Sequence, residues 1–342
     1  MLLLLCLVLP CLSFSLVNAI ENSWTTMEPM PNLKSVYGVA EANEKIYVFV
    51  HDATYEYDPE TDTWTTKYPM PILRGSFGMA TYGNKIYLIG GNILGSYSGW
   101  NITGLNQVYD PETDTWETRT PMPTPRMRLD ANVASGKIYL IGGFDHTWPY
   151  HSLDENEVYD PETDTWAKKT SLLNPSEDYS SAVVDDKIYV IGGRDYSEIL
   201  SLTQIYDPET DTWSYGAPMA ANTAAAGATT GVLAPKRIYV IGGMQNLDSI
   251  NRVRVYDPEA DVWTTGASMP TPRYYLGVAV VNDLIYAIGG VLSYPAYITA
   301  VNERYTPIGY IPEFPSWIVL PLFLATTLFV IVFRKRLFCK SS

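Results

Sequence analysis

The chain has 342 residues, of which 46% are hydrophobic, and its formal net charge at pH 7 is −14. All 37 acidic residues lie between positions 21 and 313 with no basic stripe among them, which excludes nucleic acid as a partner because its phosphates would be repelled. The three cysteines lie near the chain ends, at Cys6, Cys11 and Cys339, which excludes a disulfide framework, a cysteine-ligated zinc ion and a cysteine nucleophile from the body of the protein.

Residues 1–19 are predicted to be a secretory signal peptide. The first 17 residues are almost continuously apolar, and Val17, Asn18 and Ala19 place small residues where a signal peptidase cleaves. A retained membrane anchor is the alternative, because no lysine or arginine precedes the apolar core. The globular body is then expected over residues 20–305.

An eight-residue motif recurs through this body. The sequence Tyr109-Asp-Pro-Glu-Thr-Asp-Thr-Trp116 returns with at most two substitutions at positions that begin with Tyr57, Tyr159, Tyr206 and Tyr256. Successive tryptophans of the motif are 52, 50, 47 and 50 residues apart, which indicates a structural period. Each period contains short β-rich runs divided by Gly, Pro and Asp turns and no helical periodicity, so it predicts about four antiparallel strands.

Two further features of the period carry a family resemblance. A double glycine closes the second strand, at Gly90-Gly91, Gly142-Gly143, Gly192-Gly193, Gly242-Gly243 and Gly289-Gly290. Together with a tryptophan that starts the fourth strand, this pattern resembles the kelch repeat. The resemblance covers roughly residues 23–305 and implies an all-β fold, a kelch β-propeller in which each repeat is one blade.

The incomplete repeats at the two ends predict the number of blades. An Ile-Tyr pair marks the second strand six times, from Ile46 to Ile285. Trp24 starts a fourth strand with no third strand before it, whereas residues 301–305 form a third strand with no fourth after it. The N-terminal strand should therefore complete the last sheet and close a six-bladed propeller, which hides two sheet edges that would otherwise pair between molecules.

The segment after the body is expected to anchor the protein in a membrane. Residues 306–316 are a proline-rich stalk, residues 317–333 form an uncharged helix of about 25 Å, and residues 334–342 form a basic cytoplasmic tail. Because basic clusters stay in the cytoplasm, the propeller is predicted to lie outside, at the cell surface. The sequence Pro312-Glu-Phe-Pro315 before the helix resembles the C-terminal sorting tails of archaeal surface proteins, in which the helix is sometimes replaced by a lipid.

The recurring motif places five acidic turns at one end of the blades. A ring of calcium sites is one interpretation of these carboxylates, but the chemistry of tight turns explains the same residues and is favoured. His146 and His151 flank Trp148, but two ligands alone are weak evidence for a metal site. The prediction therefore assigns no cofactor or metal.

The opposite end of the blades is the predicted ligand site. Trp100 and Trp148 are the tryptophans that neither the repeat nor the predicted membrane interface explains, and extra tyrosines occur in the same set of loops at Tyr97, Tyr150, Tyr196, Tyr294 and Tyr297. The resemblance to kelch proteins implies that the links between blades also contribute, which selects Arg74, Arg126, Arg128 and Arg273. Aromatic rings would contact sugar rings or apolar side chains, and arginines would pair with carboxylates. Packing of the loop aromatics on one another is the alternative.

These features predict a non-catalytic module for binding or adhesion, with an extracellular glycan or protein as ligand. The sequence contains no nucleophile elbow, phosphate-binding glycine loop or zinc-protease motif. The alternative is a sugar epimerase or mutarotase, because the chain also resembles the sialic-acid epimerase type of kelch protein. In that case Arg126, Arg128 or Arg194 would hold a sugar carboxylate, and Glu177 or Asp178 would move a proton.

Overall fold

The computed structural model describes residues 20–95, 100–196, 198–230, 236–245, 248–293 and 297–310. Across these residues the chain forms six antiparallel sheets of four strands, and each sheet is one blade of a propeller. The predicted signal peptide, membrane helix and basic tail lie outside the described residues. Within the described residues, no helix has the length and apolar character needed to cross a membrane.

The first three blades follow one another along the chain. The first strand of the described residues is β1 (Ser23–Met27), and blade one then contains β2 (Gly38–Ala42), β3 (Lys45–Phe49), β4 (Thr54–Asp58) and β5 (Thr63–Lys67). Blade two contains β7 (Gly78–Tyr82), β8 (Lys85–Ile89), β10 (Asn106–Asp110) and β11 (Thr115–Arg119). A short accessory pair beside it is formed by β6 (Arg74–Gly75) and β9 (Asn92–Ile93). Blade three contains β12 (Asp130–Ala134), β13 (Lys137–Ile141), β14 (Asn156–Asp160) and β15 (Thr165–Lys168).

The last three blades repeat this order. Blade four contains β16 (Ser180–Val184), β17 (Lys187–Ile191), the accessory strands β18 (Arg194–Asp195) and β19 (Glu198–Ile199), β20 (Thr203–Asp207) and β21 (Thr212–Gly216). Blade five contains β22 (Gly227–Thr230), β23 (Ile238–Ile241), the accessory strands β24 (Met244–Gln245) and β25 (Asp248–Ser249), β26 (Val253–Asp257) and β27 (Val262–Gly266). Blade six contains β28 (Gly277–Val281), β29 (Leu284–Ile288), β30 (Asn302–Thr306) and β1. The first strand of each blade contacts the first strands of its two neighbours, so these six strands surround the central channel.

The N-terminal strand closes the ring as the repeat predicts. Strand β1 pairs antiparallel with β30, with Trp24 opposite Tyr305. This register matches that of the complete blades, in which Tyr159 lies opposite Trp166. The two ends of the body therefore complete blade six, and the prediction of a six-bladed, all-β propeller is confirmed.

The middle strands are buried on both faces, which explains their continuous apolar sequence. In β13, Ile138 and Leu140 pack against blade two, whereas Tyr139 and Ile141 pack against blade four. All four side chains are at most 3% exposed. A strand between two packed blades has no solvent face, so the alternation of polar and apolar residues is lost.

The recurring motif joins each blade to the blade before it. In blade three, the Tyr159 hydroxyl donates to Asp164 Oδ1 at 2.6 Å, and the same oxygen accepts the Thr120 amide of blade two at 2.9 Å. Trp166 Nε1 donates to the Thr120 carbonyl at 3.0 Å. Asp164 has a φ of 54°, a left-handed conformation that aspartate tolerates better than most residues. The motif is thus a structural connection between blades.

The other aspartate of the motif makes the turn. Asp160 Oδ1 accepts the Glu162 amide at 3.0 Å, and its second oxygen pairs with Lys137 at 2.8 Å. The hydrogen bond from Lys137 contributes most to holding the pKa of Asp160 below its ordinary value. In the described part of the chain, no group of three or more His, Cys, Asp or Glu side chains is placed to hold a metal ion. Asp160 thus has a structural role within its turn.

Candidate functional site

The links between blades form a ring of backbone around one end of the central channel. Five equivalent residues in these links have left-handed backbone conformations, with φ between 49° and 57°, and they are Ser76, Arg128, Asp178, Ala225 and Tyr275. From the second member onwards, the backbone amide of each residue donates to the carbonyl of the member before it. The distances are 2.8 Å from Arg128 to Ser76, 3.1 Å from Asp178 to Arg128, 2.8 Å from Ala225 to Asp178 and 2.9 Å from Tyr275 to Ala225. We call these five residues the link ring. All of them line a cavity of about 580 Å³.

Charged side chains from blades three and four meet at the link ring. Arg128 Nη1 lies 3.1 Å from Glu177 Oε2, and Arg194 Nε lies 3.5 Å from Glu177 Oε1. Arg194 also pairs with Asp178, whose Oδ2 accepts the Tyr275 hydroxyl at 3.1 Å. We call Arg128, Glu177, Asp178, Arg194 and Tyr275 the charge cluster. Two arginines face two carboxylates, so opposite charges balance within it.

The carboxylates of the charge cluster lie deeper than its other members. The side chains of Glu177 and Asp178 are 2% and 6% exposed, compared with 24% for Arg128 and 22% for Arg194. Burial raises the pKa of Glu177, and the two arginines only partly offset this effect. Burial and the neighbouring Asp178 carboxylate also raise the pKa of Tyr275. The cluster thus presents two partly exposed cations and a phenol above two sheltered carboxyl groups.

Aromatic side chains extend from the charge cluster across the loops of blades two, three and four. The ring centroids lie 5.5 Å apart for Trp100 and His146, 4.6 Å for His146 and Tyr150, 5.5 Å for Trp148 and Tyr150, and 6.3 Å for Tyr150 and Tyr196. We call these five residues the aromatic ridge. Trp100 is 50% exposed, Trp148 79% and Tyr196 52%. The ridge is therefore a continuous row of contacting rings that remains largely open to solvent.

Arg128 belongs to both features. Its guanidinium carbon lies 5.8 Å from the centroid of the Trp100 ring and 5.4 Å from that of Phe144, within the range of cation–π attraction. The same side chain forms the ion pair with Glu177. The aromatic ridge and the charge cluster are consequently one continuous surface at the mouth of the channel.

Apolar side chains of the first strands line the same cavity below the charge cluster. The same cavity is lined by Val39, Met79, Ala131, Ala228 and Val278 from the first strands of five blades. Asp130 is the carboxylate of this region, and its Oδ2 accepts the Ser181 hydroxyl at 3.0 Å. Burial raises the pKa of Asp130 to about 6.

The structure gives three of the predicted arginines a different role. Arg74, Arg126 and Arg273 are fully buried, so their guanidinium groups offer no surface to a ligand. Arg126 donates to the carbonyls of Gly142 and Leu140 at 2.8 Å each and forms a buried ion pair with Glu157.

The cause is the double glycine at the end of the second strand. Gly142 has a φ of 57°, and a Cβ atom there would lie 2.4 Å from the Ser176 carbonyl oxygen, so the two backbones approach closely. The carbonyls at this crossing need donors, which the arginine of the link supplies in blades two, three and six. These arginines therefore stabilise the links by donating to backbone carbonyls. The prediction that they contact a ligand is wrong.

Most of the remaining predicted residues converge on one surface. Trp100, Trp148, Tyr150 and Tyr196 lie in the aromatic ridge, and Arg128 and Arg194 lie in the charge cluster. Tyr97 and Tyr294 lie outside the described residues, and Tyr297, in the loop between β29 and β30 of blade six, is not part of the aromatic ridge. Glu177 and Asp178, which belonged to the alternative enzymatic interpretation, meet both arginines.

Sequence reasoning missed Tyr275 and Asp130. Tyr275 stands two positions after Arg273, as Arg128 stands two positions after Arg126. An alignment of the links by these arginines would have identified Ser76, Arg128 and Tyr275 as equivalent positions. Asp130 carried a weaker signal, because glycine occupies its position in four of the other blades, at Gly38, Gly78, Gly227 and Gly277.

Comparison with known proteins agrees with this architecture. The model of the KLHDC2/KLHL20/DRC7 Kelch-repeats domain matches residues 76–290, which is more than half of the chain. The chain belongs to the kelch-repeat family. Among solved structures, this kelch propeller is similar to a protein described as YjhT, with a TM-score of 0.72 and 15% sequence identity over 81% of this chain and 96% of that chain. At this identity the similarity shows the fold alone.

Proposed function

We propose that this kelch propeller is a ligand-binding module that recognises a glycan at the link ring. The observation that carries the proposal is the continuity of the aromatic ridge with the charge cluster at one open cavity. Exposed rings provide flat apolar faces for the C–H surfaces of a sugar, and paired arginines and carboxylates provide directional hydrogen bonds for its hydroxyl groups. A protein ligand is the other outcome that a binding experiment would distinguish.

The balance of charge favours a polar ligand over a strongly anionic one. Arg128 and Arg194 already have carboxylate partners at the mouth of the channel. A ligand with several negative charges would have to displace Glu177 or Asp178 and would leave a sheltered carboxylate without its partner, which is costly. A neutral sugar, or one with a single carboxylate, fits the cluster without that loss.

The sequence further supports display of this module at the cell surface. The predicted signal peptide, proline-rich stalk, apolar helix and basic tail together favour an anchor with the propeller outside. A label on Glu112 of intact cells tests this proposal, because a label that reacts only after lysis would contradict display at the surface.

A glycan array with the purified protein tests the binding proposal. Trp100→Ala and Trp148→Ala should each weaken binding about 5-fold, because loss of one stacking ring removes about 1 kcal/mol. Tyr68→Ala is the matched control, since Tyr68 is 62% exposed but lies after the fourth strand of blade one, away from the ridge. Equal binding by the two tryptophan variants and the wild type would contradict the assignment of the site.

A sugar epimerase or mutarotase is the second candidate. It is favoured by the raised pKa of Glu177 together with the position of this carboxyl group between Arg128 and Arg194. A sheltered carboxyl group with a raised pKa is a candidate for proton transfer, while an arginine holds a sugar carboxylate. Proton exchange into a bound sugar, lost in Glu177→Gln, would support the enzyme, whereas binding without exchange would support the module.

A further inference from the structure

The third strand of each blade carries one residue that faces the incoming link. Glu157 and Glu303 occupy this position in blades three and six and pair with the buried Arg126 and Arg273. In blade two, Gln107 takes the place of the glutamate and accepts a hydrogen bond from Arg74. In these three blades, an acceptor on the third strand meets an arginine on the link.

The backbone of the link also donates to this acceptor. The Thr124 amide donates to Glu157 Oε2 at 3.4 Å, and the Asn174 amide of the next link donates to Gln204 Oε1 at 2.8 Å. The position is therefore built to surround an oxygen acceptor with N–H groups.

Blade five reverses this arrangement. Arg254 lies opposite Val240 and Thr265, in the register by which Glu157 lies opposite Leu140 and Lys168. The link carries Thr223 where the sister blades have Arg74, Arg126 and Arg273. An arginine thus occupies the position of the acceptor, and no arginine on the link faces it.

The guanidinium group of Arg254 is buried without a counter-charge. Arg254 is 5% exposed, and in the described part of the chain its Nη1 and Nη2 atoms have no hydrogen-bond partner. Burial, followed by the nearby positive charge of Arg252, lowers the pKa of Arg254. Arginine nevertheless stays protonated in proteins, and an isolated buried cation is strongly destabilising. The charge must therefore be balanced by a group that the described residues do not supply.

We infer that blade five binds a single chloride ion between the Arg254 guanidinium and the link at Ala221. Ala221 stands where Thr124 and Asn174 stand in the links of blades three and four, so its amide replaces theirs as the backbone donor. The ion takes the role of the missing carboxylate, with donors from both sides. Because Arg254 is almost fully enclosed, a small monatomic anion fits and an acidic side chain of a partner protein does not. Water would satisfy the hydrogen bonds but would leave the charge unbalanced.

Thermal unfolding of the full-length protein in sodium chloride and in sodium gluconate, at equal ionic strength, tests this inference. Chloride should raise the melting temperature in a saturable way, by about 5 °C once its concentration is about 100 times its dissociation constant. Arg254→Met should melt at the same temperature in both salts. Arg252→Gln is the matched control, because it removes an exposed neighbouring charge and should retain the chloride effect.

Bromide provides a measurement that does not depend on the folding of a variant. A crystal of the wild-type protein grown in sodium bromide should give an anomalous peak beside the Arg254 guanidinium. Absence of that peak at high bromide, or equal stabilisation of the wild type by both salts, would show that water alone fills the position and would overturn the inference. A chloride effect that persists in Arg254→Met would do the same.

Discussion

Replacement of Asp164 by alanine should loosen the contact between blades two and three. Asp164 Oδ1 accepts two hydrogen bonds, one from the Tyr159 hydroxyl at 2.6 Å and one from the Thr120 amide of the preceding blade at 2.9 Å. The hydrogen bond from Tyr159 contributes most to the lowered pKa of Asp164. The alanine variant loses both hydrogen bonds and must also keep a left-handed backbone with a φ of 54°.

The expected loss of stability is about 3 kcal/mol. Each hydrogen bond at this partly exposed site contributes about 1 kcal/mol, and a left-handed backbone costs alanine about 1 kcal/mol more. For a domain of this size, that change lowers the melting temperature by about 6 °C. Thermal or urea unfolding at pH 7 measures it, and a loss below about 1 kcal/mol would refute the reasoning.

The chain contains its own control for this prediction. In blade six, Asn22 takes the position of the aspartate, and its Oδ1 accepts the Tyr305 hydroxyl at 2.7 Å and the Ala267 amide at 2.5 Å. Asp164→Asn should therefore cost less than about 1 kcal/mol, because asparagine retains the acceptor and tolerates the backbone. If the asparagine variant were as unstable as the alanine variant, the hydrogen bonds would not be the cause.

The stability difference between the wild type and Asp164→Asn should depend on pH. Because the folded-state pKa of Asp164 is lowered, its contribution is present above the unfolded-state pKa, near 4, and is lost as the pH falls through the folded-state value. The wild type should consequently lose its advantage over Asp164→Asn below about pH 4. A difference that stays constant from pH 7 to pH 3 would contradict this assignment.

Three further predictions concern closure, the buried ion pairs and the channel. Deletion of residues 21–31 removes the strand that completes blade six and should produce aggregate, and a soluble product that unfolds cooperatively would contradict the closure argument. Arg126→Met leaves Glu157 buried without its partner and should cost about 3–5 kcal/mol in urea unfolding, whereas the double variant with Glu157→Leu should recover much of that loss. Asp130 has a raised pKa, so its ionisation costs stability as the pH rises from about 4 to 6. Over that range the free energy of unfolding of Asp130→Asn should increase by up to about 3 kcal/mol relative to that of the wild type. No relative increase would refute the burial of this charge.

The fold could be predicted almost completely from the sequence because its information is repeated. The eight-residue motif defines the third strand, a turn and the fourth strand in five blades. The unmatched Trp24 and Tyr305 then had one consistent explanation, which the pairing of β1 with β30 confirms. Because the sequence is periodic, the register of each blade and the number of blades could be predicted. The closure of the propeller by β1 follows from the incomplete repeats at the two ends of the body.

The candidate site could be predicted only in part, because its members come from different blades. Subtraction of the repeat residues identified Trp100 and Trp148, and the resemblance to kelch proteins added Arg128 together with Arg126. The resemblance could not separate Arg128 from Arg126, which is two residues away, since the left-handed backbone turns one side chain to the mouth and leaves the other beneath the link. The meeting of Arg194 with Glu177 depends on the accessory strand β18 folding back over the link, a long-range geometry that no local pattern encodes.

The two ends of the blades differ in what holds them together, and this difference explains where function can vary. At the acidic turns, side chains make the connection between blades, so each copy of the motif must keep its tyrosine, its second aspartate or asparagine, and its tryptophan. At the link ring, backbone amides and carbonyls make the connection, as between Asp178 and Arg128. Side chains at these positions are then free to be serine, arginine, aspartate, alanine or tyrosine without loss of the ring. Because backbone hydrogen bonds hold this surface together, its side chains can be substituted, and its ligand changed, without loss of the fold. This explains why the candidate binding residues lie at the end of the blades where the repeats diverge.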